Sequence, residues 1–258
     1  MDKDRGINTV DNNCDKRITD LVNRNIMEKT KQAFPEEIKL LLKSTNFMRR
    51  VTKVAGVAIP YFDKQPTLRA VMDLFCRNRE LVHFSTVCLL NGGYAETKIL
   101  SRAATENYLL IRLFNLRPEI AEHWFSNPEA FRKEWRPEVI RKTVFDKSPN
   151  KIEGYTKYYG VLCDYSHPSF KGWIEQMKRI NNCVSIGCAP EFNADYASEC
   201  IGLMCFTIIQ SVKGFRIAFE QWYTQELRSE EDILAKKLLE MVYRHFEVRF
   251  YDKKKMIS

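Results

Sequence analysis

The sequence predicts an all-α protein, a single-domain helical bundle of about 8–10 helices, short ones included. Three observations carry this expectation. Long stretches rich in Leu, Ile, Lys, Glu, Arg and Ala favour helix. Their apolar residues recur at spacings of three and four, the period of one helix face. Gly and Pro number only ten and nine in 258 residues, few for a β-rich chain full of tight turns.

The elements follow from these signals in order. Residues 1–11 are polar and read as a frayed N-terminus, 12–252 as one helical domain, and 253–258 as a basic tail. A first amphipathic helix is expected from Asp15 to Ala33, and a second from Pro35 to Ile59, with Pro35 in its first turn and Pro60 as its stop. A third spans Thr67 to Asn91 and ends at Gly92-Gly93. The fourth, Tyr94 to Asn115, follows so closely that it must run antiparallel to the third.

Residues 118–145 read as short helical pieces opened by Asn127-Pro128 and Arg136-Pro137, with Trp124, Phe125, Phe131 and Trp135 as packing aromatics. After a turn-rich link at Asp146–Asn150, helices are expected over Ile152–Tyr165 and Ser169–Asn181. Cys183–Pro190 should be irregular or briefly extended. Asn193 should cap a long helix to Trp222, and a last helix should cover Ser229–Arg249.

Composition narrows the function classes. Hydrophobic residues make up 45% and charged residues 29%, an ordinary globular balance. The apolar run Ile201–Ile209 is too short to span a bilayer and reads as a core helix; no signal-like h-region follows Met1, so the expected location is cytoplasmic, with no membrane partner. The eight Cys form no CxxC pair, and are read as reduced thiols with no zinc site. The net charge of +8 allows an anionic partner such as RNA, or simply aids solubility.

One polar constellation stands out. With Glu106 at 0° and steps of about 100° per residue, Ile99, Ala103, Leu110 and Leu113 fall within about 60° of it, and Arg102 lies about 40° to the other side. Arg102 and Glu106 are thus expected inside the apolar stripe of the fourth helix, one turn apart. Charges go there only when paired, because desolvation costs several kcal/mol per ion. Two readings stand: a buried structural pair, or a pocket in which Arg102 binds an anion and Glu106 orients it. The helix end Tyr165-Ser166-His167-Pro168 adds an imidazole that either bonds locally or acts as acid, base or anion ligand.

The stretch Leu100-Ser101-Arg102-Ala103-Ala104-Thr105-Glu106, with Tyr165-Ser166-His167-Pro168 about sixty residues later, resembles a family of uncharacterised bacterial all-helical proteins. That family has an Arg-x-x-x-Glu helix and a later Ser/His-Pro helix end. Ile186-Gly187-Cys188-Ala189-Pro190 is similar to its Gly-Pro loop. The resemblance spans residues 65–225, and the helical layout is distantly similar to HEPN domains, many of which are ribonucleases or bind nucleotides. The HEPN nuclease motif has an Arg four to six residues before a His on one helix. This chain departs from it: between Tyr158 and Ser166 the only charged residue is Asp164.

Other chemistries find little support. Glu80-x-x-His83 and Asp164-x-x-His167 have the spacing of di-iron ligands, but both acids should face water. There is no GxSxG, Walker A loop, GxGxxG or HExxH. The expected function is a binding or regulatory module whose cleft, formed by Arg102, Glu106, Tyr165 and Ser166 with His167, takes a nucleotide or RNA end without metal or cofactor. The alternatives are a HEPN-like, metal-independent ribonuclease with His167 as its catalytic group, and a protein–protein adaptor with a purely structural polar cluster. A homodimer is compatible with each.

Overall fold

The computed structural model describes residues 24–146, 149–166, 177–180, 183–186 and 191–245. Among them are ten α-helices: α1 at 24–33, α2 Pro35–Ala55, α3 Pro66–Leu90, α4 Tyr94–Leu116, α5 Glu119–Ser126, α6 Pro128–Glu134, α7 Pro137–Phe145, α8 Pro149–Ser166, α9 Ala194–Ala218 and α10 Gln225–His245. The described residues also include two 3-10 turns, Gly56–Tyr61 and Glu220–Trp222, and a two-stranded antiparallel sheet. The fold is the all-α single-domain bundle expected from the sequence. The expectations for residues 1–11 and 253–258 lie outside the described residues.

Local chemistry sets the boundaries. Pro35, Pro66, Pro128 and Pro137 occupy first-turn positions, where a missing amide hydrogen breaks no helical bond. Asn127 and Asn193 cap α6 and α9, accepting from the amides of Ala130 at 3.1 Å and Tyr196 at 3.0 Å. Gly92 stands at φ 76°, and the Gly93 amide donates back to the Cys88 carbonyl at 2.8 Å. A left-handed residue followed by this return bond ends α3 and turns the chain straight into α4.

Several boundaries differ from expectation: α8 begins at Pro149, inside the expected link and with proline in its first turn, and α9 ends at Ala218 rather than Trp222, the chain passing into a separate 3-10 turn. α2 gives way to a 3-10 turn at Gly56, because Pro60 cannot donate to an α-helical ladder. α10 begins at Gln225 rather than Ser229, since Thr224 Oγ1 accepts from the Leu227 amide at 3.3 Å and starts the helix early. The helix expected over Ser169–Asn181 is replaced at its end by strand β1, Met177–Ile180, paired antiparallel with β2, Cys183–Ile186. Asn181 and Asn182, between the two strand sequences, have low helix propensity.

α9 is the central element. It packs against α3, α4 and α10, while α8 and α7 cover α4 and α2 covers α3. Cys200 through Cys205 are buried without a break, so over this stretch the helix is apolar on every side because protein surrounds it. Of the described residues, it alone is long and apolar enough to cross a membrane, with a mean hydropathy of 1.4, yet 72% of that stretch is buried in the bundle.

Two clusters of polar groups inside the bundle are matched to one another. Asn78 on α3 donates to the Ala104 carbonyl at 3.0 Å and to Ser211 Oγ at 2.9 Å, and receives a 2.9 Å bond from the Asn107 amide. The Tyr158 hydroxyl of α8 meets Thr207 Oγ1 at 2.9 Å and Thr105 Oγ1 at 3.2 Å. Gly214 on α9 lets α4 come close: a Cβ there would lie 2.9 Å from Ile111 Cγ2.

Candidate functional site

Arg102 and Glu106 lie one turn apart on α4, and Arg102 Nε donates to Glu106 Oε1 at 3.0 Å. The pair forms as the spacing predicts, but its setting is different. The side chains are 20% and 40% exposed, and Ile99, counted as core, is 43% exposed. The buried face of α4 instead carries Thr97, Lys98, Ser101, Ala104, Thr105, Tyr108 and Ile111. Small residues turn inward there because α3 and α9 approach closely, leaving the pair on the margin of the buried face. α8 ends at Ser166, in line with the Ser166-His167-Pro168 stop. His167 and the side chains of Tyr165 and Ser166 lie outside the described residues.

A third residue completes the pair. The Tyr159 hydroxyl on α8 donates to the same Glu106 Oε1 at 2.5 Å. The Arg102 guanidinium lies 5.3 Å from the centre of the Tyr159 ring, and that of Arg141, from α7, lies 5.0 Å from it. Burial and then the Glu106 carboxylate push the Tyr159 phenol well above its ordinary range. Burial opposes the Arg102 charge, but Tyr159 and Glu106 outweigh it and hold the guanidinium more firmly protonated than usual. Both donors converge on Oε1. Among the described residues Oε2 has no protein donor, so the carboxylate is oriented with one oxygen uncommitted.

Glu106 also lines a cleft of about 550 Å³. Its walls come from the short helices: Trp124 and Phe125 of α5, Phe131 and Arg132 of α6, and Trp135 just beyond α6, with Leu110 of α4 in the floor. Phe131 and Trp135 are nearly parallel at 6.5 Å, and Trp124 rests on Phe114 at 5.4 Å. The Arg69 guanidinium lies 5.0 Å from the Phe125 ring. Sequence reasoning took these aromatics for packing. They do pack, but they also leave a groove in which, among the described residues, Glu106 and Arg132 are the charged lining residues. Their clustering between Pro118 and Pro137 was the available signal.

The charges buried most deeply lie elsewhere. Lys98 has no exposure and sits 2.8 Å from Glu199. Glu231 is 3% exposed beside Arg216, and burial raises its carboxyl above the usual range. Glu37 and His245 are each 7% exposed and lie 2.9 Å apart. Glu80 is half exposed and paired with Arg79, facing water as expected. Comparison with protein-family models, curated proteins and solved structures finds no match to the chain.

Proposed function

We propose that this protein is a binding module for a nucleotide or an RNA end, with the base held in the aromatic cleft beside Glu106. This keeps the expected ligand class but moves its seat from the Arg102–His167 region to the groove of α4 to α7. The supporting observation is the Glu106 carboxylate, fixed through Oε1 by Arg102 and Tyr159 and lining a groove of about 550 Å³ walled by Trp124, Phe125, Phe131 and Trp135. A carboxylate only accepts, so the ligand group that meets it must be a donor, N–H or O–H. A flat apolar slot favours a planar ring, and stacking on an aromatic side chain contributes about 1–3 kcal/mol per base. A base with an exocyclic amino group meets both demands. Arg132 at the rim, with the exposed Lys133 and Arg136, supplies cations for phosphate.

Arg102 serves in this reading as an orienting group for Glu106 rather than as the anion ligand. That also weighs against the ribonuclease alternative, which needs the same guanidinium on phosphate. Titrating the protein with GMP, AMP, CMP and UMP while following tryptophan emission tests the proposal, because two of the four Trp line the cleft. Quenching should saturate with at least one amino-bearing base and weaken tenfold or more in Glu106→Gln, the loss of a charge-assisted hydrogen bond of about 1.5–3 kcal/mol. Absence of saturable quenching with all four nucleotides would refute it.

A further inference from the structure

Away from the cleft, three helix ends bring together a serine, a histidine and a glutamate. Ser198 Oγ on the first turns of α9 lies 2.9 Å from His245 Nδ1 at the end of α10. His245 Nε2 lies 2.9 Å from Glu37 Oε1 in the first turn of α2. The carboxylate can only accept, so Nε2 carries a proton; in the neutral imidazole Nδ1 is then the bare nitrogen, and the Ser198 hydroxyl donates to it. Arg244 also reaches Glu37 Oε1, at 3.2 Å. Burial opposes the Glu37 charge, but its backbone hydrogen bond, His245 and Arg244 outweigh that and hold the carboxyl below its ordinary range.

We propose that Ser198, His245 and Glu37 form a hydrolytic triad acting on carboxylic esters. The order of contacts is that of a nucleophile, a base and an orienting carboxylate, which are recognised by geometry rather than by sequence position. Accessibility follows the same division of roles. Ser198 is partly exposed, whereas the His245 and Glu37 side chains are shielded and His245 is braced edge-on by Phe34 at 5.7 Å. A helical side chain leans toward its own N-terminus, so Ser198 lies over the turn that holds Ala194 and Asp195. The Tyr196 and Ala197 amides donate to Asn193, which leaves those of Ala194 and Asp195 without a helical acceptor, and the positive end of the α9 dipole favours the oxyanion that forms on attack.

In the reaction, Ser198 Oγ bonds to the ester carbonyl carbon as its proton passes to His245 Nδ1. The carbon–alkoxide bond breaks and the alcohol leaves with that proton. Water then attacks the acyl-serine, giving His245 its proton and regenerating Ser198 as the acid departs. One ester and one water yield one acid and one alcohol.

The test is covalent labelling of the whole chain by an alkyl fluorophosphonate, read by intact mass and peptide mapping, with p-nitrophenyl acetate turnover alongside. We expect a single adduct on Ser198, absent in Ser198→Ala, slowed at least tenfold in His245→Gln, and accompanied by ester turnover that follows the same order. Ser198→Ala removes one oxygen, and circular dichroism should show its fold intact. A folded wild-type protein whose Ser198 stays unlabelled, or a Ser198 labelled equally fast in a folded His245→Gln, overturns the proposal and leaves the three groups as a tether between helix ends. Neither result bears on nucleotide binding at Glu106.

Discussion

The Lys98 ammonium lies 2.8 Å from Glu199 Oε2, and no part of the Lys98 side chain is exposed. The Tyr196 ring centre stands 5.3 Å from the same nitrogen. A cation this deep is tolerated because its partner reaches from α9 to the edge of solvent, Glu199 being 32% exposed. Removing Glu199 takes a counter-charge at 2.8 Å away from a fully buried ammonium. Glu199→Ala should therefore cost about 3 kcal/mol, whereas Lys98→Met, which removes the charge and keeps the apolar length, should cost about 1 kcal/mol or less. Urea midpoints of the two variants measure this asymmetry.

Gly214 makes the second prediction. Its missing side chain admits Ile111, and an added Cβ would come within 2.9 Å of Cγ2. Gly214→Ala should destabilise by about 1–3 kcal/mol through overpacking. Combined with Ile111→Ala, the penalty should be clearly smaller than the sum of the single changes, because the second substitution removes the clash. A thermal double-mutant cycle reads the coupling.

Tyr158 carries a pH dependence. It is fully buried, and burial pushes its phenol up to about 12 despite opposing hydrogen bonds from Thr105 and Thr207. A folded-state pKa above the unfolded value gives stability that is complete below the unfolded pKa, near 10, and lost as pH rises through 10 toward about 12. The wild type should lose on the order of 2 kcal/mol more than Tyr158→Phe across that interval. At neutral pH Tyr158→Phe should cost about 1 kcal/mol, since Thr105 and Thr207 keep bonds to the Ser101 and Leu203 carbonyls. Denaturant titrations at each pH, with tyrosinate absorbance as a second probe, decide it.

The fourth prediction separates orientation from folding. Arg102 is one-fifth exposed and bonded to a carboxylate that is more open still, so Arg102→Ala should lower stability by about 1 kcal/mol or less. Its nucleotide affinity should nevertheless fall, because Glu106 loses one of the two donors that aim it. A variant that unfolds outright would instead make Arg102 a structural residue.

Most of the architecture was legible where backbone chemistry is local. Pro35, Pro66, Gly92-Gly93, Pro128, Pro137 and Asn193 mark boundaries through a missing amide, a left-handed turn or a side-chain cap, none of which needs tertiary context. The face of α4 was misread because large aliphatics were weighed above small residues. Ile99 faces outward while Ser101, Ala104 and Thr105 meet the neighbouring helices. The Arg102–Glu106 bond was legible because one helix sets both ends. Tyr159 was not, lying 53 residues from Glu106. Glu37 and His245, 208 residues apart, leave no local trace at all. Lys98 looks like any surface lysine in a periodic pattern; only the proximity of α9 reveals it as interior.

The Asn78, Asn107 and Ser211 bonds also constrain how the molecule can move. Sliding α3 along α4 by a single turn would strand several amide groups in a dry interior, each at about 1–3 kcal/mol. The three long helices therefore have one alignment, and the α4 floor of the aromatic groove is stationary. Whatever opens that groove to admit or release a guest must be supplied by α5, α6 and α7, pivoting at the prolines that separate them.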